Sequence, residues 1–195
     1  MESIESFILA GGASRRMGTN KSQLLLDGQT LVQRIADVLL KVASKVTIVG
    51  REKADPQFSF VQDVYPEWGA LGGVHAALSA CNTDWAFVVA CDMPFISEAL
   101  VLRLASFRGD FEAVAPVQPD GRPQPLCSLY RVTPCQAIAE KLIQSGERKP
   151  VTLLQSVRTR WVDFAELADL PDAASFFVNM NTPEDYARAL EKGQE

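Results

Sequence analysis

The chain has one histidine, His75, in 195 residues, and its four cysteines (Cys81, Cys91, Cys127 and Cys135) form no C-x-x-C pair. A Ser-His-Asp triad or a His/Cys metal centre has little to be built from. Unpaired cysteines in apolar runs read as buried thiols in a reducing compartment. No apolar run reaches the roughly 20 residues of a membrane span. The acidic start, Met1 to Glu5, lacks a signal-peptide pattern. A formal charge of −5 argues against a broad basic surface for nucleic acid or an anionic membrane. The expectation is a cytoplasmic protein whose important cations are local, gathered round an anionic ligand.

What the chain does have is an ordinary globular balance, 47% hydrophobic and 22% charged residues. Its length suits one domain, 1–195, with 191–195 as a short flexible tail. Strands are expected at 4–10, 46–49, 58–61, 85–90, 113–117, 126–130 and 176–178. Thr30 caps a helix whose apolar residues fall at 31, 32, 35, 38, 39 and 42. A small-residue helix covers 72–81, Ser97 caps another reaching 107, and a fourth covers 134–144. Asp120 and Gly121 mark a turn between two strands. The uniformly apolar run 85–90 suits a central parallel strand covered on both faces. This alternation predicts an α/β fold, a three-layer sandwich with a mostly parallel sheet.

The most informative segment is Phe7 to Lys21, FILAGGASRRMGTNK. An apolar strand runs into Gly11 and Gly12, then Arg15, Arg16, Gly18 and Lys21. Glycines let the backbone approach a ligand and present N–H groups to phosphate oxygens, and the cations share the same loop. The spacing is neither a Walker loop, since five residues separate Gly12 from Gly18, nor a G-x-G-x-x-G fingerprint. The segment reads as a triphosphate cradle in a long basic loop.

Three other segments fall at strand ends, where α/β sheets bind ligands. Asp92 follows the most apolar strand; it is either a magnesium ligand or a turn or capping aspartate. Asp63 ends a strand, and Gly69, Gly72 and Gly73 follow it. Those glycines either admit a flat base close to the backbone or pack a helix tightly. Tyr65 and Trp68 either wall that base or cover the sheet. Asn179 and Asn181 alternate at the end of the expected last strand, before a helix start at Thr182, Pro183, Glu184 and Asp185. His75, on the small-residue helix, reads as a surface or half-buried residue.

Leu9-Ala-Gly-Gly with Arg15-Arg-Met-Gly and a following lysine resembles the signature of the nucleotidyltransferase superfamily, and within it the molybdenum cofactor guanylyltransferases. Asp92-Met-Pro and Asn179-Met-Asn-Thr-Pro-Glu are similar to that family's metal-bearing and C-terminal motifs. Ala70 stands where proline is usual, and the asparagine that some relatives carry near Val49 and Gly50 is missing. The resemblance implies a Rossmann-like nucleotidyltransferase fold and transfer of GMP from GTP to the terminal phosphate of molybdopterin or the molybdenum cofactor, releasing pyrophosphate. It implies catalytic roles for Lys21, Arg16 and Asp92, with Mg²⁺ on Asp92. Nucleotide contacts would come from Leu9, Ala10, Gly11, Gly12, Lys21, Asp63, Gly69 and Asp92, and pterin contacts from Asn179 and Asn181. The protein would act as a monomer, with transient contact to cofactor-synthesis proteins or a recipient apoenzyme. The alternatives are a relative using CTP or another phosphate acceptor, and a non-catalytic carrier of the finished cofactor.

Overall fold

The computed structural model describes residues 3–10, 24–50, 57–65, 68–180, 182 and 184–187. Its main sheet has seven strands: β1 (Ile4–Leu9), β4 (Lys45–Gly50), β5 (Ser59–Gln62), β6 (Trp85–Ala90), β7 (Ala113–Pro116), β8 (Cys127–Arg131) and β9 (Thr159–Val162). They lie in the order β5-β4-β1-β6-β8-β7-β9. A separate hairpin joins β2 (Leu25–Leu26) to β3 (Gln29–Thr30). Asp27 and Gly28 form its turn at φ 51 and 79, the positive pair that a tight two-residue hairpin requires.

Every strand of the main sheet runs parallel to β1 except β8, which is antiparallel to both β6 and β7. The reason is local. The Asp120-Gly121 turn, with Gly121 at φ 82, reverses the chain without a crossover helix, and only an antiparallel partner follows such a connection.

Side chains alternate across the sheet, and both faces are covered. Ile8, Phe87 and Val89 pack with α1 (Leu31–Leu39) and α3 (Glu98–Ser106). Phe7, Ala86 and Val88 pack with α2 (Gly69–Ala80), α4 (Val132–Gln144) and α5 (Pro150–Gln155). This is why β6 reads as continuously apolar. Two helix starts, those of α1 and α3, follow side-chain capping chemistry. Thr30 Oγ1 accepts from the Gln33 N–H at 3.1 Å while Gln33 Oε1 accepts from the Thr30 N–H at 3.1 Å. Ser97 Oγ accepts from the Leu100 N–H at 3.2 Å.

Four features depart from the sequence reading. No strand forms at 176–178: Phe176 is helical at φ −52, ψ −36, after a 3₁₀ turn at Ala173–Ser175, and the Val178 N–H bonds back to the Ser175 carbonyl at 3.0 Å. The apolar run there is explained by packing, because Phe176 is wholly buried beneath the sheet. The short helix α5 and the edge strand β9 were not expected. The small-residue helix begins at Gly69, three residues before its predicted start.

Candidate active site

The sheet topology places a crevice between β1 and β6. From β1 the chain crosses by α1, on one face, to β4; from β5 it crosses by α2, on the other face, to β6 on the far side of β1. Strand order reverses there, and ligands of open α/β sheets bind at such points, outside the carboxyl ends of the strands. Leu9 is in register with Ala90, and the Cys91 N–H donates to the Leu9 carbonyl at 3.1 Å. Ala10, after which the glycine–arginine segment follows in the chain, and Cys91, which precedes Asp92, therefore lie side by side at the end of the sheet.

The C-terminal segment reaches the same place. The Met180 N–H donates to the Asp92 carbonyl at 2.9 Å, so Asn179 lies beside the aspartate although no strand carries it there. Met180 itself is fully buried with Leu26 and Leu31. One residue thus joins the Asp92 turn, the hairpin that follows the basic loop, and the asparagine segment. Sequence reasoning missed it; the signal was an apolar residue between two polar ones. Thr182 and Asp185 make the expected helix start, each donating its N–H to the other's side-chain oxygen at 3.0 and 3.1 Å. Gly11, Gly12, Arg15, Arg16, Lys21, Asn181 and Pro183 lie outside the described residues, as does the expected tail at 191–195.

Asp63 leaves β5 at the same edge of the sheet. Its N–H donates to the Gly50 carbonyl at 3.0 Å, and its Oδ1 accepts from the Tyr65 N–H at 2.9 Å. That bond closes an aspartate turn. Gly72 is needed under it: a Cβ on Gly72 would lie 2.4 Å from the Tyr65 carbonyl oxygen and 3.2 Å from Asp63 Oδ1. A Cβ on Gly73 would lie 3.2 Å from Leu9 Cδ1. Both glycines therefore pack the helix, the plainer of their two readings. Gly69 differs. It opens α2 at φ +57, with nothing within 4 Å of a Cβ built there, so backbone conformation and not crowding requires glycine.

Trp68 is tied into the protein. Its Nε1–H donates to the Ile143 carbonyl at 3.0 Å, and Arg148 lies 5.1 Å above its ring. Its N–H donates to the Tyr65 carbonyl at 2.9 Å, which links α4 to the Asp63 turn. The Tyr65 ring meets His75 edge-on, centroids 5.2 Å apart. His75 is more deeply placed than expected, at 8% exposure. Burial pushes its imidazole below the usual 6.5, against the attraction of Glu140 and Asp63. Cys91, Cys127 and Cys135 are buried, as expected of the thiols in apolar runs, and Cys81 is half-buried. Burial holds Cys127 and Cys135 at about 12, where neither is a nucleophile.

Among the described residues no three His, Cys, Asp or Glu side chains converge to hold a metal. An all-protein cage is not built there. A carboxylate at a strand end suits Mg²⁺, which takes one or two carboxylates, keeps waters and draws its other ligands from substrate phosphates. Among the same residues no helix is long and apolar enough to cross a membrane.

Comparison with known proteins decides the family. The MobA-like NTP transferase domain matches residues 6–159. The chain belongs to that family. It is 37% identical to a molybdenum cofactor guanylyltransferase of Vibrio atlanticus, covering 91% of each chain. It is 35% identical to that of Vibrio cholerae, covering 93% of this chain and 88% of the relative. Among solved structures, the molybdopterin-guanine dinucleotide biosynthesis protein A of Archaeoglobus fulgidus superposes with a TM-score of 0.84 at 25% identity, covering 97% of this chain and 98% of the other. The 2-C-methyl-D-erythritol 4-phosphate cytidylyltransferase of Thermus thermophilus superposes at 0.73 with 17% identity, covering 100% of both chains, a likeness of fold alone. As a MobA-like NTP transferase the chain is an enzyme, a nucleotidyltransferase, and its mixed, mostly parallel sheet between helical layers is the Rossmann-like fold of that group.

Proposed function

We propose that this enzyme transfers GMP from GTP to the terminal phosphate of molybdopterin, with or without its metal, forming the guanine dinucleotide cofactor and pyrophosphate. One observation carries the reading: the end of β1, Asp92 and the Asn179–Met180 segment meet at a single crevice, in a chain whose relatives bear the name guanylyltransferase.

The chemistry is an in-line displacement at the α-phosphate of GTP. An attacking phosphate is ionised at neutral pH, so no general base is required, and a site with its only histidine buried in the helix layer agrees with that. Catalysis is then positioning and charge stabilisation. Lys21, with Arg16, neutralises the phosphates. Leu9, Ala10, Gly11 and Gly12 approach them through the backbone. Asp63 and Gly69 hold ribose and base, and Asn179 and Asn181 face the pterin, where amides supply donors and acceptors without charge. Asp92 is the residue that would hold magnesium, which when bound would supply positive charge to offset that developing on the leaving pyrophosphate.

The test is pyrophosphate release by the purified protein with Mg²⁺ and molybdopterin, comparing GTP, CTP, ATP and UTP. Release with GTP alone, dependent on molybdopterin, is expected. Release with CTP moves the enzyme to a cytidylyl specificity. No release with any nucleotide favours another acceptor, or a protein that only carries the finished cofactor.

A further inference from the structure

His75 is the polar group in the helix layer that the proposed reaction leaves unused. Its ring is buried between α2, the Asp63–Tyr65 turn and α4, and among the described residues its Nδ1 has no hydrogen-bond partner. A buried, unpaired nitrogen is costly to keep, and this one lies against the turn that supplies Asp63. The contact is direct, since the Tyr65 ring meets the imidazole edge-on at 71°. Among the described residues the charged groups facing it are Glu140 from α4 and Asp63 from the turn; α2 carries no charged residue between Gly69 and Ala80.

We propose that His75 is a positioning residue for the nucleotide: its neutral ring props the Asp63–Tyr65 turn in the binding geometry, and its protonation draws the Asp63 carboxylate away from the Tyr65 N–H. The inference rests on the reading of Asp63 as a nucleotide-side residue. The neutral state accounts for what is seen. Asp63 Oδ1 is engaged by the Tyr65 N–H at 2.9 Å, and Gly72 leaves no slack beneath that bond. An imidazolium in the same place is a stronger donor, close to two carboxylates, and competes for Asp63. Burial opposes that charge, so the competing state appears only on the acid side of the ordinary imidazole range.

The imidazole is the only one in the chain, so its NMR signal titrates alone. The experiment follows the ¹³C-labelled histidine of the full-length protein from pH 5 to 8, without nucleotide and with saturating Mg²⁺-GTP or Mg²⁺-CTP. Nucleotide affinity is measured in parallel for wild type, His75→Gln and His75→Phe. Wild-type affinity is expected to weaken about fivefold or more on acidification beyond any change in His75→Gln, and by reciprocity nucleotide should lower the histidine's proton affinity by the same factor. His75→Gln, which cannot titrate and loses the ring against Tyr65, should bind nucleotide more weakly than wild type at pH 8 and show none of the extra loss on acidification. A histidine midpoint that nucleotide leaves unchanged or raises overturns the proposal, as does an identical pH dependence in wild type and His75→Gln. If CTP produces the shift and GTP does not, the positioning role stands and the guanine reading falls. The wild-type titration needs no variant to fold.

Discussion

At the scale of single residues, the sharpest constraint is space under the Asp63 turn. Alanine at a helical glycine ordinarily stabilises by roughly 0.5–1 kcal/mol, by restricting the unfolded chain. At Gly72 the sign reverses, because the new Cβ would sit 2.4 Å from a backbone oxygen that no rotamer change can move. Gly72→Ala is expected to destabilise by about 1–3 kcal/mol and to raise KM for the nucleotide more than it lowers kcat. Gly73→Ala meets only the flexible end of Leu9 at 3.2 Å and should be milder on both counts. Denaturant melts and initial rates on the two variants check the contrast. Asp92 belongs to this scale as well. Asp92→Asn keeps the shape of the turn but removes the carboxylate charge, so turnover with Mg²⁺ is expected to collapse while most nucleotide affinity remains. Unchanged turnover in that variant removes Asp92 from the mechanism.

At the scale of elements, α1 and α3 start where side-chain oxygens satisfy otherwise orphaned N–H groups. α1 is the clearest case. The reciprocal pair between Thr30 and Gln33 closes at 3.1 Å in both directions, directly after the β2–β3 hairpin. Thr30→Ala should cost about 1 kcal/mol of stability, read from the midpoint of a urea melt, and leave KM values near wild type. Helix caps of this kind were readable because they depend on neighbours in sequence. So was β6, whose apolar run matches a strand with both faces covered. The segment 176–178 misled for the same reason: Phe176, Phe177 and Val178 have strand-like composition, but the 3₁₀ turn before them bends the chain and Phe176 is buried by the sheet, not within it. Edge strand β9, with Thr159, Arg160 and Trp161 only partly buried, lacks the continuous apolar signal of an interior strand and so passed unseen.

At the scale of the whole molecule, the site is assembled from distant pieces by a few tertiary ties. Met180 carries the most of them, holding the Asp92 carbonyl through its N–H and the hairpin through its side chain. Tyr186 reinforces the join by donating its hydroxyl proton to the Leu25 carbonyl. Met180→Ala opens a cavity where no side-chain atom is exposed and is expected to cost about 2–5 kcal/mol. It should also raise KM for both substrates, since both sides of the crevice lose a common anchor. Met180→Leu keeps the volume and should restore most of both properties. Steady-state kinetics with thermal melts would expose a purely structural role as lost stability with unchanged KM in the surviving folded fraction.

The sequence by itself determined the layer architecture, the Thr30 and Ser97 helix caps and the family, because each is written in short-range patterns of size, charge and hydrogen-bonding groups. Only the tertiary structure decided that Met180 reaches the Asp92 carbonyl without a strand, that Gly72 and Gly73 serve packing, and that Trp68 is tied to α4. It alone decided that His75 is buried against Tyr65. These depend on contacts between segments far apart in the chain, and the chain order of residues does not encode which distant carbonyl or ring will occupy the space beside them.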